Sequence, residues 1–331
     1  MTKTTPMTHR ELIEAAVRGE RPERVPVALW RHFPGDDQRA DKLAQAHVAH
    51  YRTYDVDLLK VTPASGYYGD DWGLRAGYKP NREGVRHYTD RPIKKATDWE
   101  RLRRLDVSQG LYGRETQAIR LIAEAVGGEV HVLETVFSPL SIARTLAGEQ
   151  AIVRYLREDP EELHAGLQTI ADVTREFVRA VMAAGADGVF FSTQMATTDL
   201  LTREEYEEFG RPYDLQVLEA ASTGLTFLHI HGVHIMFDLF TDYPVHILNW
   251  HARETPPRIA EARSLVNMCL ACGIDAWNTL AKKTPAEVAG EVHDAISQTG
   301  GRGHIVTTGC VMPVDAPEAN IHAAIAAARE A

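Results

Sequence analysis

The sequence has few cysteines and no long apolar run. Three cysteines in 331 residues cannot build a disulfide framework, and their odd number favours free thiols. Free thiols are typical of a reducing compartment, which predicts a cytoplasmic protein. No apolar stretch approaches the roughly 20 residues that span a bilayer, and the first residues contain no apolar signal region. We therefore expect no association with a membrane.

Basic residues are also in the minority. The chain contains 36 Lys and Arg against 46 Asp and Glu, which gives a net charge of −10. A nucleic-acid-binding surface needs a basic face, because contacts with phosphate supply most of the affinity. The composition therefore argues against a nucleic-acid partner, and the sequence contains no phosphate-binding loop or dinucleotide fingerprint. A small-molecule substrate is the expected partner.

The chain does contain a regular alternation of short apolar runs with helical periodicity. Eight runs are predicted to be strands, and helical sequence follows each of them. Near-continuous apolar strands are typical of a parallel sheet that is covered on both faces. Eight such units predict an α/β fold, a single (β/α)8 TIM barrel over residues 1–331. The predicted strands cover residues 25–30, 57–62, 130–136, 188–193, 226–231, 245–250, 266–272 and 304–310.

Residues 66–98 interrupt this alternation of predicted strands and helices. They are rich in Gly, Tyr, Asp and Arg and show only short alternations. We predict an inserted loop or hairpin after the second strand, and insertions of this length often carry functional residues. Tyr67 is a candidate for substrate binding, and Asp70 and Asp71 are candidate catalytic residues. The alternative is a solvated loop.

The strand predicted over residues 226–231 ends in two histidines. Alternation along a strand places His229 and His231 on one face, and Cys310 ends the last predicted strand. In a TIM barrel the active site lies at the carboxyl ends of the strands. Two imidazoles and one thiolate with an open fourth position are typical of catalytic zinc. We predict a Zn²⁺ site at these residues, with His251 as a fourth ligand or a substrate contact.

Other predicted strand ends supply further candidates. Arg31 and His32 follow the first strand as candidate catalytic residues, and Arg31 suits a substrate carboxylate because its guanidinium can bind in a bidentate manner. Thr193 and Gln194 end the fourth strand, and Trp250 ends the sixth. We expect these three side chains to bind substrate. The alternatives are a surface ion pair for Arg31 and barrel packing for Trp250.

Residues 308–320 read TGCVMPVDAPEAN, and shorter characteristic segments occur at residues 10–16, 209–213 and 272–275. With these segments the chain resembles the uroporphyrinogen decarboxylase superfamily, most clearly at residues 308–320. The resemblance covers nearly the whole length and implies a TIM barrel. One branch of the superfamily decarboxylates the acetate arms of uroporphyrinogen without a cofactor. The other contains zinc methyltransferases that pass a methyl group from a corrinoid protein to a thiol such as coenzyme M.

Several positions depart from the decarboxylase branch. The resemblance implies two arginines that grip carboxylates, and only Arg31 remains of them. Residues 60–65 hold no acid where that branch has an aspartate, and residues 136–143 hold no tyrosine where it has one. Cys310 stands in place of a histidine. True uroporphyrinogen decarboxylation is therefore not the leading expectation.

The methyltransferase branch matches more closely at the predicted metal site. It carries His-x-Cys followed by a distant Cys, and this chain carries His229-x-His231 followed by Cys310. Two neutral imidazoles and one thiolate leave a zinc site with a net charge of about +1. Such a site is the better Lewis acid and the poorer activator of a thiolate than one with two thiolates. Polarisation of a carbonyl or activation of water is therefore an alternative to methyl transfer onto a thiolate.

These observations lead to one expected function and two alternatives. We expect zinc-assisted methyl or other one-carbon transfer to or from a small anionic or thiol substrate, with Arg31 orienting the anionic end. A corrinoid would enter only as a substrate carried by a partner protein, and a homodimer is implied by the resemblance alone. One alternative is cofactor-free decarboxylation with Asp70 or Asp71 as the charge partner of pyrrole nitrogens. The other is a non-catalytic barrel that binds a tetrapyrrole or corrinoid.

Overall fold

The computed structural model describes residues 6–330. Its strands are, in chain order, β1 (Leu58–Lys60), β2 (Arg75–Tyr78), β3 (Arg86–Asp90), β4 (His131–Phe137), β5 (Gly188–Thr193), β6 (Leu225–Ile230), β7 (Ile247–Trp250), β8 (Cys269–Ile274) and β9 (His304–Thr308). Its helices are α1 (His9–Val17), α2 (Ala40–Tyr54), α3 (Tyr67–Asp70), α4 (Gly110–Val126), α5 (Pro139–Ala147), α6 (Glu149–Glu158), α7 (Pro160–Ala183), α8 (Arg203–Phe209), α9 (Arg211–Ala220), α10 (Ile259–Leu265), α11 (Pro285–Thr299) and α12 (Glu318–Glu330). Short 3-10 turns and one π turn connect some of these elements.

Seven strands form one parallel sheet in the order β1-β4-β5-β6-β7-β8-β9. Each pairs with the next in parallel register, for example His229 opposite Asn249 between β6 and β7. The strands are buried along almost their whole length, as expected when helices cover a parallel sheet. The predicted α/β class and seven of the predicted parallel strands are therefore present.

The prediction of an eighth strand over residues 25–30 is not confirmed. The structure shows an isolated parallel bridge between Val27 and Val306. Pro26 has no N–H to donate, and the N–H of Val27 donates to the Asp57 carboxylate at 2.8 Å rather than to a neighbouring strand. The segment still lies between the two edges of the sheet, because Val306 N–H donates to Pro26 O and Asp57 N–H donates to Val27 O, both at 2.8 Å.

The segment 66–98, predicted as an inserted loop or hairpin, contains the antiparallel strands β2 and β3. This pair does not join the parallel sheet. The turn between these strands approaches the carboxyl ends of the parallel strands. Gly84 in this turn has a φ of 76°, and a Cβ there would lie 2.8 Å from the His32 side chain. Glycine is therefore required for this close approach. Val314 N–H donates to Arg82 O at 2.8 Å and holds the turn in place.

The apolar core is arranged in two layers. The larger layer lies between the sheet and the helices around it. The smaller one lies on the other face of the sheet, the face that also carries His229, and Ile13 of α1 packs into it. α1 begins at a capping box in which Thr8 and Glu11 each accept a backbone N–H from the other residue. Among the described helices, none has the length and apolar composition required to cross a membrane.

Candidate metal centre

Three strands of the parallel sheet bring four potential ligands together at their carboxyl ends. His229 is in β6 and His231 follows that strand, while His251 follows β7 and Cys310 follows β9. One ligand atom from each of these residues lies within 4.8 Å of the corresponding atoms of the other three. His229 Nε2 is 3.3 Å from His231 Nδ1, and Cys310 Sγ is 3.7 Å from the same nitrogen. The structure therefore converges three imidazoles and one thiol on one point.

Asn249 determines which nitrogen of His229 faces this point. The Asn249 amide nitrogen donates to the carbonyl oxygens of Ala271 (2.7 Å) and Thr308 (3.1 Å). The amide oxygen therefore faces His229 Nδ1, at 2.6 Å, and must accept its proton. His229 Nε2 then presents a lone pair towards the other ligands. This is the usual support that orients a metal-bound histidine.

Glu254 has the same role for His251. The Nδ1 atom of His251 is 3.0 Å from a Glu254 carboxylate oxygen, while Nε2 is buried without a hydrogen-bond partner. Gly309 permits this arrangement, because a Cβ there would lie 2.8 Å from the His251 Cα. A buried imidazole nitrogen that lacks a protein partner and faces other ligand atoms fits a metal ion. The donor set of nitrogen and sulfur fits zinc.

The electrostatics of the cluster favour a thiolate. Burial raises the pKa of the Cys310 thiol, but the adjacent imidazoles, led by His229, outweigh it and hold that pKa well below its ordinary value. Burial lowers the pKa of His229 and keeps that ring neutral. Burial also lowers the pKa of His251, but interactions with Cys310 and Glu254 outweigh it and raise the pKa to about 10. The cluster thus has the Cys310 thiolate and the neutral His229 ring that metal binding needs, and a metal ion would have to displace a proton from His251.

The four residues form part of the wall of a cavity of about 280 Å³. Much of the remaining wall is aromatic: Trp30, Tyr68, Tyr88, Phe137, Phe190 and Trp277. Phe190 stacks on His229, with 5.6 Å between the ring centroids. His32, Lys60, Arg86 and Gln194 add polar groups. The volume is at the lower end of the range for small-molecule sites.

Three of the predicted substrate-binding residues face away from this cavity. Thr193 contacts Tyr206 OH at 2.8 Å, and Tyr67 OH donates to Thr135 O at 2.9 Å. Trp250 Nε1 donates to Pro257 O at 2.9 Å in the outer apolar layer. Successive strand residues point to opposite faces. The strands therefore turn the neighbours of Thr193 and Trp250 towards the cavity.

Of the four predicted catalytic residues, the structure places one in the cavity wall and three outside it. His32 lines the cavity, and burial together with the nearby Lys60 lowers its pKa to about 4. Arg31 instead donates to Val314 O at 2.6 Å. Asp70 is paired with the guanidinium of Arg86 at 2.7 and 3.0 Å.

Asp71 is likewise occupied outside the cavity. Its carboxylate accepts the backbone N–H of Leu111 at 2.8 Å, near the beginning of α4. An acid at a helix N-terminus satisfies a free backbone donor and interacts favourably with the helix dipole. Asp71 is therefore placed to stabilise α4, and neither it nor Asp70 is part of the cavity wall.

Two buried charged residues were not among the predicted site residues. Lys60 lines the cavity from β1, and burial lowers its pKa to about 8 against the opposing effect of Cys310 and Glu134. Glu134 lies in β4 with neither carboxylate oxygen hydrogen-bonded. A signal for both exists in the sequence, because each interrupts an otherwise apolar strand run. Lys and Glu are rarely buried, because removing a charged group from water costs free energy unless another group compensates it.

The chain matches the family model of uroporphyrinogen decarboxylase (URO-D) over residues 8–331. The protein belongs to this family. The resemblance stated from the sequence is therefore confirmed.

Curated relatives include both methyltransferases and decarboxylases. Methylcobamide:CoM methyltransferase MtbA of Methanosarcina acetivorans is 24% identical over 253 residues, which cover 70% of this chain and 71% of that protein. Uroporphyrinogen decarboxylase of Sorangium cellulosum is 30% identical over 148 residues, which cover 42% of this chain and 41% of that protein. Among solved structures, a methyltransferase from Methanosarcina mazei superposes with a TM-score of 0.86 at 18% identity, covering 97% of this chain and 98% of the other. The two proteins therefore share their fold.

Proposed function

We propose that this protein is a zinc-dependent enzyme that transfers a methyl or other one-carbon group to or from a small anionic or thiol substrate. The observation that carries the proposal is the convergence of His229, His231, His251 and Cys310 within 4.8 Å at the wall of a cavity. The similarity to methylcobamide:CoM methyltransferases of Methanosarcina supports the type of reaction.

The donor set supports zinc in particular. Imidazole nitrogen and thiolate sulfur together select zinc over hard cations such as Mg²⁺, which prefer oxygen ligands. A zinc ion at this position would supply Lewis acidity and lower the pKa of a thiol or water bound to it. His229, His231 and Cys310 are the proposed permanent ligands, and His251 is the proposed fourth group.

His251 would also move a proton. Its Nε2 atom faces the other ligands and its Nδ1 atom is held by the Glu254 carboxylate. A substrate thiol that enters the cavity must lose its proton before its sulfur can accept a methyl group. The pKa of about 10 keeps this ring protonated in metal-free protein. The positive charge of a bound zinc ion would lower that pKa, so that His251 would take the proton on Nε2 while Glu254 stabilises the resulting imidazolium.

The size of the cavity restricts what can enter. About 280 Å³ suits a small substrate, with His32 and Gln194 as proposed contacts. We propose that a corrinoid stays on a partner protein and presents its methyl group at the cavity entrance. The same limit argues against a barrel that engulfs a tetrapyrrole.

Cofactor-free decarboxylation has less support. The two acids proposed for it are engaged elsewhere, Asp70 with Arg86 and Asp71 with the backbone of α4. Arg31, the proposed carboxylate anchor, donates to Val314 O. Similarity to uroporphyrinogen decarboxylases supports this alternative at the level of the family. Release of carbon dioxide from uroporphyrinogen by the purified protein would establish it.

Metal analysis tests the proposal directly. Protein purified without added metal is expected to contain about one zinc per chain, and His231→Ala is expected to lose it. His234→Ala is the matched control, because His234 is an exposed histidine near the same strand end whose ring contacts Asp199 instead of the cluster. Wild-type protein that contains no zinc and fails to bind added zinc would overturn the proposal.

A further inference from the structure

The hairpin of β2 and β3 belongs to a basic segment of an acidic chain. Residues 75–95 contain seven Lys and Arg against two Asp and Glu, whereas the whole chain contains 36 against 46. Arg86 and Tyr88 of β3 line the cavity. Alternation turns His87 to the opposite side of the hairpin, and Gly77 of β2 is its partner across the pair. We call this exposed side the outer face and define it by Arg75, Gly77, Lys79 and His87.

Two cations of the outer face have no counter-charge within the chain. Arg75 and Lys79 are exposed, and neither side chain forms a hydrogen bond or an ion pair with a residue that the structure describes. Asp90 is opposite Arg75 in the pair, but its carboxylate binds Lys94. Other cations of the segment are already bound, namely Arg82 to Asp315, Arg86 to Asp70 and Arg91 to Thr145 O. Arg75 and Lys79 are therefore available to an external anionic group.

Gly77 separates these two cations, and nothing within the protein requires glycine at this position. Its φ lies outside the left-handed region, and a Cβ there would have no neighbouring atom within 4 Å. Gly84 in the turn differs, because a Cβ there would lie 2.8 Å from the His32 side chain. A glycine within a strand weakens it, and often marks a place where another backbone approaches closely. Gly77 therefore points to a contact with a second molecule.

A protein surface fits the outer face better than a nucleic acid does. The net charge of −10 repels a polyanion, and two free cations are few for a phosphate backbone. Tyr78 lies between Gly77 and Lys79 in the chain and is 46% exposed. Tyrosine is enriched in protein interfaces, where its ring is buried and its hydroxyl finds a partner. Exposed cations around an aromatic ring fit an acidic protein surface.

We propose that the outer face of the hairpin docks an acidic face of a partner protein. Arg75 and Lys79 pair with carboxylates of the partner, Tyr78 is buried as the apolar anchor, and Gly77 lets the partner backbone approach. The inference rests on the proposed function in one respect, which is the need for a protein that brings the one-carbon group. Because the other side of the hairpin lines the cavity, a protein docked here lies beside the candidate site.

Binding of an acidic peptide tests the contribution of charge. The probe is fluorescein-labelled decaglutamate, and fluorescence anisotropy at low ionic strength follows its binding to the protein as purified. Arg75→Ala/Lys79→Ala should bind the peptide about fivefold or more weakly than wild type, because two charge contacts are lost. Arg120→Ala/Arg302→Ala is the matched control, because it removes the same charge from exposed arginines on α4 and before β9. Equal weakening in both variants, or no binding by wild type, would overturn the inference.

Gly77→Val separates docking from folding. Valine suits an exposed strand better than glycine does, so the melting temperature should stay the same or rise. Affinity for decaglutamate should nevertheless fall, because the added side chain keeps the peptide backbone at a distance. Unchanged peptide affinity in Gly77→Val would show that no backbone approaches this position, and would overturn the proposed geometry.

Other occupants of the outer face give different results. A short DNA duplex, or vesicles that contain phosphatidylserine, would overturn the inference if Arg75 and Lys79 bound either of them more tightly than decaglutamate. A wild-type dimer that dissociates in Arg75→Ala/Lys79→Ala, measured by sedimentation, would assign the face to a second copy of this chain and overturn it as well. Absence of zinc would overturn the proposed function and leave these measurements unchanged, so the two failures are distinguishable.

Discussion

The amide oxygen of Asn249 lies 2.6 Å from Nδ1 of His229. Asn249 is the partner of His229 across β6 and β7, and its amide nitrogen is held by two carbonyl oxygens from β8 and β9. Residues of β7, β8 and β9 thus fix the orientation of the His229 ring in β6. The tautomer of His229, and with it the lone pair that faces the other ligands, follows from a contact that no local sequence pattern reveals.

Replacement of Asn249 should therefore weaken metal binding without direct loss of a ligand. We expect Asn249→Ala to lower zinc affinity by roughly 10–100-fold, the usual effect of removing a group that orients a metal-bound histidine. Competition with a zinc chelator measures this. Asn267→Ala controls for loss of an amide away from the cluster, because Asn267 is exposed and precedes the amino end of β8. Unchanged zinc affinity in a folded Asn249→Ala protein would contradict the orienting role.

In metal-free protein, the His251 ring should lose its proton at an unusually high pH. Its pKa is raised to about 10 from an ordinary 6.5, with burial opposing the effects of Cys310 and Glu254. Because the folded-state value is the higher one, the stability that this group contributes is complete below about pH 6.5 and is lost as the pH rises through about 10. NMR titration of the ring, and thermal unfolding across that range, measure both effects.

Glu254→Gln isolates the contribution of the carboxylate. The amide retains the size of the side chain and loses its charge, so the pKa of His251 should fall and the pH dependence of stability in that window should become shallower. Glu261→Gln on α10 is a control, because Glu261 accepts the backbone N–H of Arg258. The same titration in Glu254→Gln as in wild type would show that Glu254 does not act on His251.

Asp57 should be important for stability because it holds the segment that replaces the predicted eighth strand. Its carboxylate is fully buried and binds Arg24 at 2.6 and 2.7 Å as well as the N–H of Val27 at 2.8 Å. Asp57→Asn should lower the free energy of unfolding by about 3–5 kcal/mol, since it leaves a partly buried guanidinium unpaired. Asp55→Asn, whose carboxylate is mostly exposed, should change it little. Urea unfolding distinguishes the two.

The same carboxylate predicts a loss of stability in acid. Burial raises the pKa of Asp57, but hydrogen bonds with His9 and Arg24 outweigh it and keep the pKa below the ordinary 3.8. Its contribution is therefore present above about pH 3.8 and disappears as the pH falls further. The difference in stability between wild type and Asp57→Asn should narrow over that range. A constant difference down to the lowest measurable pH would contradict this assignment.

Two tryptophans should respond differently to a bound substrate. Trp277 lines the cavity, whereas Trp250 is buried in the outer layer with its indole N–H bound to Pro257 O. Trp277→Phe should weaken binding of a small thiol such as 3-mercaptopropionate, with little effect on stability. Trp250→Phe should lower the free energy of unfolding by about 2–3 kcal/mol, through the lost hydrogen bond and the space that the smaller ring leaves in the core, and should leave thiol affinity unchanged. The reverse pattern would place the binding site on the other face of the sheet.

Periodicity accounts for most of what could be predicted about the fold and the cluster. Seven parallel strands and the convergence of His229, His231 and Cys310 follow from apolar runs and alternation, because both are properties of consecutive residues. Periodicity did not place Thr193 and Trp250 correctly, because the structure turns both side chains away from the cavity. A strand end can be recognised from the sequence, but a shift of one residue reverses the face of every side chain. Only the pairing of the strands decides which face is inward.

The sequence by itself determined the class of fold and the family, and it proposed all four residues of the candidate centre, with His251 as either a ligand or a substrate contact. The tertiary structure alone decided that Asn249 and Glu254 orient the histidines, that Arg31 faces Val314, and that Lys60 lines the cavity. The physical reason is that hydrogen-bond partners and counter-charges come from distant parts of the chain. Their positions depend on how the helices and strands pack, and not on the local order of residues.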